Sequence, residues 1–302
     1  MDNKKILVLG GSGFIGSNFI NYIVINKGIS VLNIDKLTYA GSNESLLHLV
    51  DNSNYKFVRG DICDVALIPE ILSSYKPDCV VNFAAESHVD RSISNHSDFI
   101  NTNIVGVYNL LESSLNYFKN LPSNKKSNFK FLQISTDEVY GSLKLGDDSF
   151  TELDKYDPSS PYSASKAASD HLVKAWSKTY DLPILLTNCS NNYGPYQFPE
   201  KLIPLIIINC LREKELPVYG NGKNIRDWIH VVDHCTAILK IIDNGLIGES
   251  YNVGSEFELT NLDIINKICK NMDTKKPRKN GLLYKDLITF VEDRPGHDFD
   301  IL

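Results

Sequence analysis

A chain of 302 residues can bury a full core as one large domain or as a domain with a smaller lobe. Its 42% hydrophobic and 23% charged residues are those of an ordinary globule. The formal net charge of −6 argues against nucleic acid or an anionic membrane as a general partner, so a few local cations would have to hold any anionic substrate.

In chain order, Met1 to Lys5 runs straight into an apolar stretch that glycines interrupt, which predicts a first strand over 5–9 and not a signal peptide. A cytoplasmic location is the expectation that follows. A helix is predicted over 14–25, then strands over 31–35, 56–58 and 79–84, the last a near-continuous apolar run suited to a strand covered on both faces. A long helix over 103–118, a strand over 129–134, a helix over 161–180 and a strand over 183–187 complete the regular part. Alternating strands and helices imply right-handed crossovers and an α/β fold with a doubly wound parallel sheet. We expect a Rossmann domain over 1–190, rejoined by 225–254, and a smaller C-terminal substrate-binding lobe from 191–224 and 255–302. The longest apolar run, 202–211, contains Pro204 and Asn209 and is too short to span a bilayer.

Gly10, Gly13 and Gly16 recur at three-residue spacing between the first strand and the first helix, where glycine permits a tight turn and a close approach to a pyrophosphate. Asp35 closes the second strand at the distance where an acid bonds ribose hydroxyls, which favours NAD because a 2′-phosphate would be repelled. Asp61-Ile62 can bracket the adenine, although a turn residue after Gly60 explains Asp61 equally well.

Ser135-Thr136-Asp137-Glu138 follows the strand over 129–134, at the strand end where open α/β sheets keep their chemistry. Tyr162 and Lys166 stand one helical turn apart. A phenol with a pKa of roughly 10 needs a nearby ammonium before its phenolate is accessible near neutrality. Such a phenolate can take a hydroxyl proton while hydride passes to a nicotinamide.

Cys63, Cys79, Cys189, Cys210, Cys235 and Cys269 are scattered without a CxxC pair and read as free, mostly buried thiols. His230 and His234 have no third ligand at suitable spacing, so no metal site is expected.

With these motifs in hand, the chain resembles the extended short-chain dehydrogenase/reductases, and among them the dTDP-glucose 4,6-dehydratase family. The resemblance rests on 10–16, 35–41, 82–90, 135–141, 162–166, 191–195, 199–204, 226–228 and 293–297, in the family's order. It implies that Gly10, Gly13, Phe14, Ile15, Gly16, Asp35, Lys36, Leu37, Thr38, Asp61, Ile62, Ala84, Ala85, Thr102, Tyr162, Lys166 and Asn192 bind NAD. It likewise implies that Ser87, His88, Thr136, Asn191, Lys201, Leu202, Pro217, Tyr219, Arg226, Asn261, Arg294 and His297 hold a nucleotide sugar, dTDP-glucose.

The implied reaction oxidises C4, eliminates water across C5 and C6, and returns hydride to C6, with Thr136, Asp137, Glu138, Tyr162 and Lys166 as the catalytic set. A UDP-glucose 4,6-dehydratase keeps the same Thr-Asp-Glu and is the nearest alternative. A UDP-sugar 4-epimerase or decarboxylase has less use for the paired acids, and a non-catalytic NAD-binding scaffold has none. Relatives continue beyond a point corresponding to Leu302, so the lobe is expected to be incomplete. The apolar stretch 104–111 and the helix over 161–180 are expected to form a four-helix homodimer interface.

Overall fold

A computed structural model describes residues 4–144, 146–293 and 300–301. Its first six strands are β1 (Lys5–Leu9), β2 (Ser30–Asp35), β3 (Tyr55–Arg59), β4 (Cys79–Asn82), β5 (Lys130–Thr136) and β6 (Ile184–Cys189). Seven more follow: β7 (Asn191–Tyr193), β8 (Leu216–Tyr219), β9 (Ile225–His230), β10 (Ser250–Val253), β11 (Glu258–Thr260), β12 (Ile288–Val291) and β13 (Asp300–Ile301).

The main sheet has seven strands in the order β3-β2-β1-β4-β5-β6-β10, all pairs parallel. The strand order reverses between β1 and β4, which opens a crevice beyond their carboxyl ends. Ile6, Val8, Val81 and Leu132 face a core closed by the Phe14–Lys27 and Val231–Asn244 helices. Leu7, Leu9, Phe131 and Leu186 face the opposite core, closed by the Leu67–Tyr75, Val107–Asn120 and Pro161–Tyr180 helices. Burial on both faces is why these strands read as unbroken apolar runs.

Three departures from the expected boundaries have a local reason. The fourth strand stops at Asn82, because the Asn82 side chain accepts the Ala84 amide at 3.1 Å and turns the chain. The fifth runs on to Thr136, because Ser135 and Thr136 still pair with Asn188 and Cys189. The helix expected from 103 begins as a π-helical segment, Ile100–Gly106, and turns α-helical only at Val107. A Cβ on Gly106 would lie 2.6 Å from the Ile62 side chain, so glycine lets that helix close against Ile62. The run 202–211 forms a helix, Leu202–Leu211.

Ile206 and Cys210 on that helix pack with Leu216, Val218, Ile265, Cys269 and Tyr284 in a separate small core. There β8 and β12 form a parallel pair. A second small sheet centres on β9, flanked by β11, β13 and β7. Because β7 follows β6 after one residue, this pairing fixes the smaller lobe to the carboxyl edge of the main sheet. All six cysteines are free thiols. Among the described residues no helix is long and apolar enough to cross a membrane.

The Val231–Asn244 helix presents Val231, Cys235, Ile238 and Ile242 to the main core at helical spacing, all fully buried. Ile238→Ala is expected to lower unfolding free energy by about 2–5 kcal/mol in chemical denaturation. Val232→Ala, 42% exposed on the same helix, is expected to change it by less than about 0.5 kcal/mol. Equal effects would contradict this packing.

Candidate active site

The crevice is occupied by a cavity of about 330 Å³ running from the first glycine loop to the end of β5. Gly10 lies in the left-handed region at φ +73°, and a Cβ there would stand 2.5 Å from the Ala84 amide nitrogen. A Cβ on Gly16 would meet the Gly10 carbonyl oxygen at 2.5 Å, whereas one on Gly13 would meet only that oxygen, at 3.3 Å. Gly10 and Gly16 therefore serve the packing of loop on strand, and Gly13 keeps the helix N-terminus open to the cavity.

Asp35 accepts the Ser12 and Leu37 amides at 2.9 and 2.8 Å. Burial raises its carboxyl above the usual range, and those two bonds act against the rise. A carboxylate has about four acceptor sites, so two remain for hydroxyls. Asp61 pairs with Lys36 at 2.7 Å and accepts the Cys63 amide. Burial alone would raise Asp61, but the Lys36 bond and charge and the Cys63 amide outweigh it and hold it below the usual range. With Ile62 and Thr102 also lining the cavity, the cradle fits the pyrophosphate and adenosine half of a dinucleotide.

At the other end, Ser160 caps the Pro161–Tyr180 helix through a capping box with Ser163, and Pro161 takes the first position. That start fixes Tyr162 and Lys166 against β5. Lys166 is buried and donates to the Ile134 carbonyl at 2.8 Å. Burial lowers its pKa, and the Asp170 charge opposes the drop. Burial, and then the Glu138 charge, push the Tyr162 phenol well above its ordinary range, while a hydrogen bond with Thr136 acts the other way.

Thr136 donates to Asp137 Oδ1 at 3.1 Å and accepts the Glu138 amide at 3.3 Å. Asp137 Oδ2 is buried without a hydrogen-bond partner among the described residues. Burial and the neighbouring Glu138 charge push Asp137 up to about 8, although the Arg226 charge opposes them. The surroundings of Asp137 thus favour its neutral form, beside a second carboxyl and a tyrosine–lysine pair.

Above the cavity, the Lys201 ammonium donates to the Ser87 carbonyl at 3.0 Å, and Glu200 contacts both His88 and the Tyr39 hydroxyl. The structure thus brings Gly10, Gly13, Phe14, Ile15, Gly16, Asp35, Lys36, Thr38, Asp61, Ile62, Ala84, Ala85, Ser87, Thr102, Thr136, Glu138, Tyr162, Lys166, Asn191, Asn192 and Lys201 to one cavity wall. Leu37 contributes its amide to Asp35, and His88 reaches the rim through Glu200.

Other expected site residues stand outside that wall, Asp137 among them: it is buried at the end of β5 and does not line the cavity, whereas its neighbours Thr136 and Glu138 do. Arg226 lies buried on β9, bonds the Ile225 carbonyl and acts on Asp137 by its charge. Asn261 opens the Asn261–Lys275 helix, Leu202 packs on the small core, and Pro217 and Tyr219 lie on β8. Arg294 and His297 lie outside the described residues. Glu86, Gln197, Phe198 and Glu200 line the cavity but were not singled out from sequence. Glu86 and Glu200 adjoin Ser87 and Lys201, the one signal that could have drawn attention to them.

A family profile described as GDP-mannose 4,6 dehydratase matches residues 7–302. The chain is 54% identical over 297 residues to a dTDP-glucose 4,6-dehydratase of Neisseria gonorrhoeae, covering 98% of this chain and 86% of the relative. It superposes with a TM-score of 0.87 and 39% identity on the dTDP-glucose 4,6-dehydratase DesIV of Streptomyces venezuelae, solved with NAD and TYD bound, over 98% of this chain and 87% of that one. The corresponding values for a Bacillus anthracis dTDP-glucose 4,6-dehydratase in complex with NAD are 0.85 and 42%, over 98% and 86%.

The proton on Asp137 has a consequence for stability. Its folded pKa of about 8 lies above the ordinary 3.8, so the stability it contributes is complete below pH 3.8 and is lost as pH rises through 8. Asp137→Asn is neutral throughout and cannot lose it. The melting temperature of the wild type minus that of Asp137→Asn is expected to fall steadily between pH 5 and pH 8.5. A difference that stays constant would contradict a protonated Asp137.

Proposed function

This chain belongs to the dTDP-glucose 4,6-dehydratases, within the extended short-chain dehydrogenase/reductases, and from that premise we propose that it converts dTDP-glucose to dTDP-4-keto-6-deoxyglucose with NAD as its cofactor. The observation that carries this reading is the meeting of Asp137, Glu138, Tyr162 and Lys166 at the end of β5, where burial and the Glu138 charge push the Asp137 carboxyl toward its neutral form. A hydride-transfer site alone needs only the tyrosine and lysine. A carboxyl whose burial favours its neutral form, next to a second carboxyl, supplies the acid and base of an elimination.

NAD, when bound, takes a hydride from C4 of the glucosyl ring and returns it to C6. The glycine loop, Asp35, Asp61, Ile62, Thr102 and Asn192 hold it. Tyr162 accepts the proton of the C4 hydroxyl, and Lys166 favours the phenolate by its charge. Thr136 hydrogen-bonds O4 as its charge changes. The ketone so formed acidifies the C5 hydrogen, which Glu138 removes. Asp137 gives its proton to the C6 hydroxyl, which leaves as water, and C5 regains a proton from Glu138, exchanged with solvent, as hydride reaches C6.

Ser87, Asn191 and Lys201 hold the sugar nucleotide from the cavity wall, and we assign His88, Leu202, Pro217, Tyr219 and Asn261 to the same substrate. Lys201 and Arg226 are the local cations that a chain of net charge −6 requires for a diphosphate. We assign the enzyme to the cytoplasm and to a homodimer. Tyr108 and Tyr180 are about half exposed and join Trp176 in one aromatic row across the Val107–Asn120 and Pro161–Tyr180 helices, which supports a paired face there.

Incubation with dTDP-glucose in deuterated water is expected to give a product lighter by one water and carrying one solvent deuterium at C5, read by mass and NMR. Tyr162→Phe is expected to yield no product. Glu138→Gln is expected to lower turnover by roughly 10²-fold or more, the range for loss of a general base. Full turnover by Glu138→Gln, solvent deuterium at C6, or product from UDP-glucose but not dTDP-glucose would contradict the assignment.

A further inference from the structure

One ionisable side chain beside this machinery has no part in the reaction as described. Asp170 is fully buried and stands one helical turn after Lys166, on the same face of the Pro161–Tyr180 helix. Its Oδ2 accepts the Ser135 hydroxyl at 2.6 Å, the Tyr156 hydroxyl at 3.3 Å and the Asn188 amide at 3.5 Å. Its Oδ1 is buried without a partner among the described residues.

The position of Ser135 gives this cluster its meaning. On one side of it lies Ile134, whose carbonyl receives the Lys166 ammonium at 2.8 Å. On the other lies Thr136, whose carbonyl receives the Asn188 amide at 3.1 Å. Asp170 thus ties the helix that carries Tyr162 and Lys166 to the strand end that carries Thr136, Asp137 and Glu138. A purely structural carboxylate in this place could be replaced by a neutral group of the same shape. The charge has a separate use, because Lys166 makes no direct ion pair among the described residues. An ammonium buried without compensation tends to lose its proton.

We propose that Asp170 is a positioning residue for the dehydratase reaction, locking the tyrosine–lysine helix onto the end of β5 and supplying the buried negative charge that keeps Lys166 an ammonium. The electrostatics agree with the geometry. Burial lowers Lys166, and the Asp170 charge is the largest influence opposing it. Burial raises Asp170 to about 6, against the Lys166 charge and the Ser135 hydrogen bond. The other titratable groups around the pair are Lys174 on the same helix, Tyr156 and Tyr140 facing Asp170, and Cys189 on β6 facing Lys166. Tyr156 and Tyr140 stay neutral because burial raises both. The pair therefore works between two pH limits, set below by protonation of Asp170 and above by deprotonation of Lys166.

The inference rests on Tyr162 and Lys166 as the proton-transfer pair, so wild type and Tyr162→Phe are assayed alongside; an inactive wild type would fail that reading, not this one. Asp170→Asn keeps the shape and an acceptor for Ser135 but removes the charge. Its kcat on dTDP-glucose is expected to fall by roughly ten- to hundredfold, as for loss of an outer partner of a functional side chain, with KM little changed. Its alkaline limb of kcat is expected to move to lower pH, because Lys166 sheds its proton more readily. Ser135→Ala keeps the charge but removes the shortest bond to it, and is expected to move the acid limb to higher pH. An active Asp170→Asn enzyme whose kcat–pH profile superimposes on that of the wild type would overturn the proposal. If Asp170→Asn does not fold, an unmoved acid limb in Ser135→Ala overturns it instead.

Discussion

The site depends on withdrawing several ionisable groups from water at the carboxyl end of a single strand. β5 lies between β4 and β6 with helices on both faces, so Asp137, Lys166 and Asp170 are each nearly or fully inaccessible there. In such a medium a charge survives only with a partner, and a group without one moves toward its neutral form. Asp137 has Glu138 beside it and no compensating contact on Oδ2, and it keeps its proton. Lys166 has a carbonyl and a carboxylate one turn away. Burial, together with the charge of its neighbour, thus sets Asp137 apart from the adjacent Glu138, as environments commonly separate acid/base pairs.

The glycine loop answers a different constraint, the space between backbone and backbone. β1 and β4 are neighbours, and the chains leaving them converge until a single Cβ on Gly10 would overlap Ala84. That convergence narrows the crevice floor, and the open face at Gly13 is where a pyrophosphate can approach. The smaller lobe is tied to this floor through β7 and β9, and Asn191 and Lys201 line the same cavity as the glycines. The site is a seam between a rigid parallel sheet and a lobe with its own core.

Much of this was legible in the residues. Doubly buried strands write themselves as apolar runs, the three glycines mark the first crossover, and Ser160-Pro161 announces a helix start that places Tyr162 and Lys166 together. Features that depend on partners distant in sequence were not. Thr136 reads as the residue after a strand, but its pairing with Cys189 makes it the last residue of one. The π-helical turn before Val107 follows from the contact of Gly106 with Ile62, which no periodicity reports. Gln197 and Phe198 enter the cavity on a loop whose path turns at Tyr196, in a left-handed conformation unusual for a tyrosine. The sequence shows two neighbouring carboxyls at 137 and 138 but not that the fold pushes the first toward its neutral form, because burial and the neighbouring charge decide that. Asp170 reads as one more polar residue on a helix until Ser135 is seen to bond it.

The central claim is that Asp137 enters the reaction as a neutral carboxylic acid. Difference infrared spectroscopy of the wild type against Asp137→Asn tests it directly, since a protonated carboxyl and a carboxylate absorb in separate regions. The account predicts a carboxylic-acid C=O band in the wild type at pH 7 that the variant lacks and that disappears as pH rises through about 8. A wild type already showing only the carboxylate bands at pH 6 would contradict it.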